Sequence, residues 1–169
     1  MNAQAGMMFS TPAGVLVPAN TAAHMREVDR IAVESFGLGL LQMMENAGRN
    51  LAGAAMDMLE AAAGKVVVLA GAPRGRAAAL IELCNRSASR VLSLDIPSGL
   101  DATTGRAPGL VIRPERTLAL PKTGLAAIPG DLFLADIGIP PAVVARLSIH
   151  VAPLFGRNDR LQLITSPPR

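Results

Sequence analysis

The stretch Arg90-Val91-Leu92-Ser93-Leu94-Asp95-Ile96-Pro97-Ser98-Gly99-Leu100-Asp101 decides the fold. Its first six residues are a short run with an apolar centre that ends in a carboxylate, and its last six are turn-forming, with Pro97 and Gly99. Such a run suits a strand buried on both faces. Upstream, residues 77–88 are helical by composition and periodicity. Before them Lys65-Val66-Val67-Val68-Leu69-Ala70, set between Gly64 and Gly71, is another β-branched run. Strand, helix and strand in this order predict two parallel strands joined by a right-handed crossover.

Further out, Thr21 is placed to cap a helix carrying Met25, Val28, Ile31, Ala32 and Phe36 at three- and four-residue spacing, and Gly37 ends it. Leu41, Met44, Ala47, Gly48, Leu51, Ala55, Met58 and Leu59 trace an apolar stripe through a second, longer helix that closes at Gly64. A stripe of this kind is expected to be core. Downstream, residues 117–120 and 131–136 predict two more strands, and Pro140 or Pro141 opens a short helix through Leu147. The class that follows is α/β: a mostly parallel sheet flanked by helices in three layers, with two leading helices. Residues 1–20 are expected to be a loose or partner-covered arm, 21–156 the domain and 157–169 a frayed tail.

The chain has 169 residues, half of them apolar, with 17% charged and 2% aromatic, which excludes a disordered chain and makes Ala, Val, Leu, Ile and Met the core. No apolar run reaches the length of roughly 18–20 residues that spans a bilayer, so no membrane segment is expected. The net charge of +3 is carried by scattered Arg, and no Trp or Tyr is present to stack bases, so nucleic-acid binding is not expected. Cys84 is the only cysteine, which rules out an internal disulfide, predicts a buried structural thiol and fits a cytoplasmic protein.

Parallel sheets bind ligands beyond the carboxyl ends of their strands, and Asp95 stands at such an end. There it can orient a ribose or a water, or move a proton, while Ser98 can offer oxygen to a hard cation. Alternatively Asp95 and Asp101 only cap turns. Lys122, after Pro121, either meets a phosphate or is a solvated surface lysine. Gly48 inside a helix points to close packing or to the approach of a ligand. His24 and His150 have no spacing that implies a metal, and Gly71-Ala72-Pro73-Arg74-Gly75 fits neither the Rossmann nor the Walker pattern.

Taken in order, several segments resemble the NAD(P)H-hydrate epimerase family, the YjeF amino-terminal domain. They are Met25-Arg26-Glu27-Val28-Asp29-Arg30, Met43-Met44-Glu45-Asn46-Ala47-Gly48, Val66-Val67-Val68-Leu69-Ala70-Gly71 and Asp95-Ile96-Pro97-Ser98-Gly99-Leu100-Asp101 with Thr104-Gly105. Leu118-Ala119-Leu120-Pro121-Lys122-Thr123-Gly124-Leu125 and Asp136-Ile137-Gly138-Ile139-Pro140 complete the set. The resemblance implies a Rossmann-like domain that interconverts the R and S epimers, at C6, of hydrated NADH or NADPH (NADHX, NADPHX). A separate ADP- or ATP-dependent dehydratase would complete the repair. By the family pattern Asp95 is the acid or base and contacts the nucleotide, Gly71 and Ala72 are further nucleotide contacts, and Ser98 is a potassium ligand.

The chain departs from that pattern after Gly71. The family's Gly-x-Asn-Asn-Gly-Gly-Asp-Gly loop and the strands that adjoin it are missing, which makes the domain smaller than usual. For the pyrophosphate only a helix start near Gly75 to Ala77, with Arg74 and Arg76, is left. The departure implies weakened nucleotide binding, a potassium ion weakly held or lost, and exposed sheet edges or apolar faces that a partner in a homo-oligomer is expected to cover. It leaves two alternatives, an epimerase, active or degenerate, and a non-catalytic binding or scaffold module of the same fold.

Overall fold

Six strands of a computed structural model, in the order β2-β1-β6-β5-β4-β3, form one sheet. Residues 7–59, 76–86, 90–149 and 152–165 are described. The elements are β1 (Met8–Ser10), β2 (Leu16–Pro18), α1 (Ala22–Phe36), α2 (Leu40–Leu59), α3 (Arg76–Arg86), β3 (Leu92–Leu94), β4 (Arg116–Ala119), a 3-10 helix (Thr123–Ala127), β5 (Asp131–Ala135), α4 (Pro141–Ala145) and β6 (Arg160–Thr165). This is a small α/β fold of the Rossmann-like kind. The parallel part is β3, β4 and β5, with Leu94 beside Leu118 and Leu118 beside Phe133. Beyond β5 the sheet continues antiparallel through β6, β1 and β2. The expected strand at residues 65–70, and with it the first half of the strand-helix-strand unit, lies outside the described residues.

Alternation along the strands divides the side chains between two faces. One face carries Phe9, Val17, Ala119, Leu132, Leu134 and Leu163, all buried, and is covered by Leu125, Ala126, Ile128, Leu154 and Phe155. On the other face α2 lies over Leu92, Leu118 and Phe133, where Ala54 and Asp57 help to line a cavity of about 250 Å³. α1 packs against α4 through Met25, Val28, Ile31, Ala32 and Val143, and Leu120 joins them from the end of β4.

Local sequence explains α1 well. The Thr21 side chain accepts a hydrogen bond from the His24 N–H, and Gly37 closes the helix in the left-handed region at φ 66°. The Gly37 N–H donates to the Val33 carbonyl at 3.2 Å, the bond of an αL end, and the Leu38 N–H reaches the Ala32 carbonyl at 3.0 Å.

Three expectations are corrected. Residues 8–10, 16–18 and 160–165, expected to belong to a loose arm and a frayed tail, are strands of the sheet: β1 pairs with both β2 and β6, and β6 also pairs with β5. Phe9 and Leu163 are buried in the core, which is why these short segments are held. In α2 the buried face is Met43, Asn50, Ala54 and Met58. Leu41 and Met44, expected to be core, are 80% and 63% exposed, and a Cβ at Gly48 would meet nothing within 4 Å. The cause is polar: the Asn50 amide donates to the Asp136 carbonyl and the Asn46 amide to the Ile137 carbonyl, so the helix is turned to bring its asparagines to the end of β5. Cys84 is partly exposed rather than buried.

Candidate functional site

β3 and β4 run parallel, so the residues that follow them emerge at the same end of the sheet. Asp95 follows β3 and Lys122 follows β4, and the Lys122 ammonium forms an ion pair with the Asp95 carboxylate. The two side chains differ in exposure: that of Lys122 is 9% exposed and that of Asp95 61%. A buried ammonium thus holds a carboxylate that faces solvent. The Asp95 N–H donates to the Leu118 carbonyl at 2.8 Å, tying it to β4. Its backbone has φ 67°, in the left-handed region. That conformation costs an L-residue roughly 1–2 kcal/mol, and Asp and Asn adopt it more readily than bulky side chains.

Lys122 is fixed from both directions. Pro121 has no N–H to extend the ladder. The next residues turn into the 3-10 helix, and the Asn20 N–H donates to the Pro121 carbonyl at 2.8 Å while the Thr123 N–H returns to the Asn20 carbonyl at 2.9 Å. Asn20 directly precedes the α1 cap, so α1 starts beside the site. On α1, Asp29 has its pKa raised, first by burial and then by the Asp95 charge, against the opposing pull of Lys122.

The loop from Ile96 to Leu110 closes under the same site. Pro97 is fully buried, and the Ser98 carbonyl accepts from the Ile112 N–H at 3.0 Å. At Gly99, φ is 97° and a Cβ would stand 2.2 Å from the Leu110 carbonyl oxygen, so only glycine fits. Gly124 plays the same part across the loop, since a Cβ there would lie 2.3 Å from the Asp101 carbonyl oxygen. Asp101 caps a turn: its Oδ1 accepts from the Thr103 N–H, the Thr104 N–H and the Thr104 hydroxyl. These bonds hold its carboxyl below the usual aspartate range. The Thr103 hydroxyl accepts from the Ala22 N–H, which joins the loop to α1.

Of the residues singled out from sequence, Asp95 stands at the strand end, with Lys122 as its buried partner rather than as a surface lysine. Ser98 is half-buried in the adjoining loop. Gly71, Ala72 and His150 lie outside the described residues, and His24 is exposed. Asp29 was not singled out as a site residue. Its signal was available, because it falls on the buried side of a predicted helix, between Met25 and Ala32. The cavity of about 250 Å³ under α2 is lined by none of Asp29, Asp95, Ser98 or Lys122.

A potassium ion needs a shell of several oxygens. Among the described residues no group of three or more His, Cys, Asp or Glu is gathered to hold a metal ion. The Ser98 carbonyl and the Asp101 carboxylate are engaged within the loop, and the Asp95 carboxylate is paired with an ammonium. The described residues therefore do not by themselves build such a shell.

The carboxylate–ammonium pair of this Rossmann-like α/β protein stands beyond adjacent parallel strands, where such sheets hold their ligands. Residues 70–124 match the family model described as YjeF-related protein N-terminus. An NAD(P)H-hydrate epimerase of Dehalogenimonas lykanthroporepellens is 33% identical over 223 aligned positions, covering 85% of this chain and 91% of the relative. That of Truepera radiovictrix is 45% identical over 89 residues, covering 50% of this chain and 40% of the relative. A bifunctional NAD(P)H-hydrate repair enzyme of Moorella thermoacetica is 44% identical over 82 residues, 44% of this chain and 16% of the relative. The chain belongs to the NAD(P)H-hydrate epimerase family. The first of these alignments is longer than the chain's 169 residues, so the Dehalogenimonas protein carries positions with no counterpart here.

Proposed function

We propose that this chain interconverts the R and S epimers of hydrated NADH or NADPH, with Asp95 as the group that moves the proton and Lys122 as its electrostatic partner. The observation that carries the reading is the Asp95–Lys122 pair at the carboxyl ends of β3 and β4. In the hydrate, C6 bears both a hydroxyl and the ring nitrogen. Inversion requires one of these two bonds to open and to re-form on the other face. Either way, a proton must move at the hydroxyl oxygen. A solvent-facing carboxylate on a rigid strand end can exchange that proton, and a fixed ammonium beside it offsets charge that builds on oxygen.

Gly71 and Ala72 enter this reading as further nucleotide contacts, and Ser98 as the donor of one oxygen to potassium. No step is derived through the ion. A separate dehydratase acting on the product, a cytoplasmic setting and a homo-oligomer belong to the same proposal. The exposed Leu41, Met44 and Met56 of α2 support the last. Among the described residues no helix is long and apolar enough to cross a membrane. The test is to start from one purified hydrate epimer and follow equilibration with the other by chromatography. Acceleration by the protein and its loss in Asp95→Asn support the reading, and a rate no faster than the spontaneous one removes it.

A further inference from the structure

The cavity under α2 holds two arginines that differ in what surrounds them. Arg116 and Leu118 stand two residues apart on β4 and so point to one face of the sheet. Leu92 lies beside Arg116 on β3, and Phe133 lies beside Leu118 on β5. With Ala54 of α2 these side chains line a space of about 250 Å³, and Arg160 stands on its far side. Arg160 is fully supplied with partners: its Nη1 lies 3.1 Å from Asp57 and its Nε 3.2 Å from Asp159. Arg116 is half-buried, and its guanidinium lies over the Phe133 ring, 5.7 Å from the centroid. The ring attracts the charge, but it does not replace an oxygen acceptor. The Arg116 Nε is buried with no hydrogen-bond partner, and among the described residues no ion pair reaches this side chain. The carboxylates nearby are engaged elsewhere. Glu115 pairs with Arg90, Asp131, beside Arg116 in the sheet, accepts from Gln162 at 3.3 Å, and Asp57 and Asp159 hold Arg160. A buried cationic N–H without an acceptor carries a desolvation cost that an oxygen anion would remove.

We propose that this cavity binds a monocarboxylate with a short apolar body, its carboxylate on Arg116 and its body against Leu92, Leu118 and Phe133. The planar fork of a guanidinium matches a planar carboxylate through two N–H donors. A phosphate monoester offers similar oxygens but brings a second negative charge toward Asp57 and Asp159, whose side chains are 60% and 61% exposed, and their repulsion selects against it. The space lies just below the range of roughly 300–1,000 Å³ usual for ligand pockets, which keeps the body short. Neither Asp95 nor Lys122 lines the cavity, so this site goes beyond the epimerase reading and does not depend on it.

Octanoate is the probe, added to the full chain and followed by titration calorimetry and by NMR of the arginine Nε–H groups. Saturable binding of one octanoate per chain is expected, with the Arg116 Nε–H signal displaced and its exchange with solvent slowed. This readout is made on the parent protein and needs no variant. Octanol, which has the same chain without the charge, is expected to bind about tenfold or more weakly than octanoate. Arg116→Met keeps an apolar stem over Phe133, and it is expected to weaken octanoate by about tenfold or more, with a thermal melt showing that it is folded. Asp95→Asn binds octanoate as the parent does. The proposal is overturned if the parent does not bind octanoate, if the Arg116 signal is unmoved at saturation, or if folded Arg116→Met or octanol matches the parent's affinity for octanoate. Tighter binding of octyl phosphate than of octanoate overturns the carboxylate as the ligand class, and loss of octanoate binding in Asp95→Asn overturns the separateness of the two sites.

Discussion

Asp95 combines a left-handed backbone with a side chain 61% exposed and paired to an ammonium that is itself buried. A turn-capping aspartate has no need of such a partner, and Asp101, which does cap a turn, is served by Thr103 and Thr104 instead. Lys122→Met is therefore expected to lower the rate of epimer equilibration by about 100-fold while leaving the chain folded, as read from parallel rate and melting measurements. Asp29 gives a prediction of stability. Burial raises its pKa in the folded state above the unfolded value, so its proton is bound more tightly in the fold. The stability this contributes is complete below the unfolded pKa and is lost as pH rises through the folded one. Asp29→Asn should thus melt higher than the parent at pH 7 and close to it at pH 3, where Asp29 is protonated in both states. An equal difference at the two pH values would contradict the direction of the shift.

Two loops meet backbone to backbone through glycine, so the elements around the site tolerate no side chain there. Gly124→Ala is expected to cost about 1–3 kcal/mol, as overpacked positions do, because the added methyl would fall 2.3 Å from the Asp101 carbonyl oxygen. Chemical denaturation measures it directly. Asn50 is buried, and its amide joins α2 to the Asp136 carbonyl at 2.9 Å. Asn50→Ala should cost about 1–3 kcal/mol by leaving that carbonyl unpaired. The same asparagines show where the sequence could be read and where it could not. The helical period of α1 was legible because Thr21 and Gly37 mark its ends and Met25, Val28, Ile31 and Ala32 are buried as expected, whereas Phe36, expected with them, is 38% exposed in the last turn. In α2 the apolar stripe was equally plain, yet hydrogen bonds from Asn46 and Asn50 set its rotation, and hydrophobic periodicity does not register them. Asp95 was legible from its place after an apolar run. Its pairing with Lys122 was not, because it depends on β3 and β4 being neighbours in the sheet, a tertiary fact that no local pattern carries.

At the level of the molecule, the two segments expected to be peripheral complete the sheet. β6 bridges β5 and β1, and its Leu163 is 5% exposed within the main core. Leu163→Ala should cost about 2–5 kcal/mol, and a chain ended after Asp159 should lose its cooperative melt, since it gives up a strand paired on both sides. Three-residue strands such as β1 are too short to announce themselves by alternation, which is why the ends of the chain read as loose. The site depends on this frame, because β4 lies between β3 and β5 and sets the distance from Asp95 to Lys122. These two residues, placed by adjacent parallel strands, are the proposed proton-handling site of a hydrate epimerase. Its most direct test is the rate at which one pure epimer of hydrated NADH reaches equilibrium with the other, measured for the parent chain, Asp95→Asn and Lys122→Met under the same conditions. Acceleration is expected with the parent, none with Asp95→Asn and little with Lys122→Met; equal acceleration by all three would rule out this site.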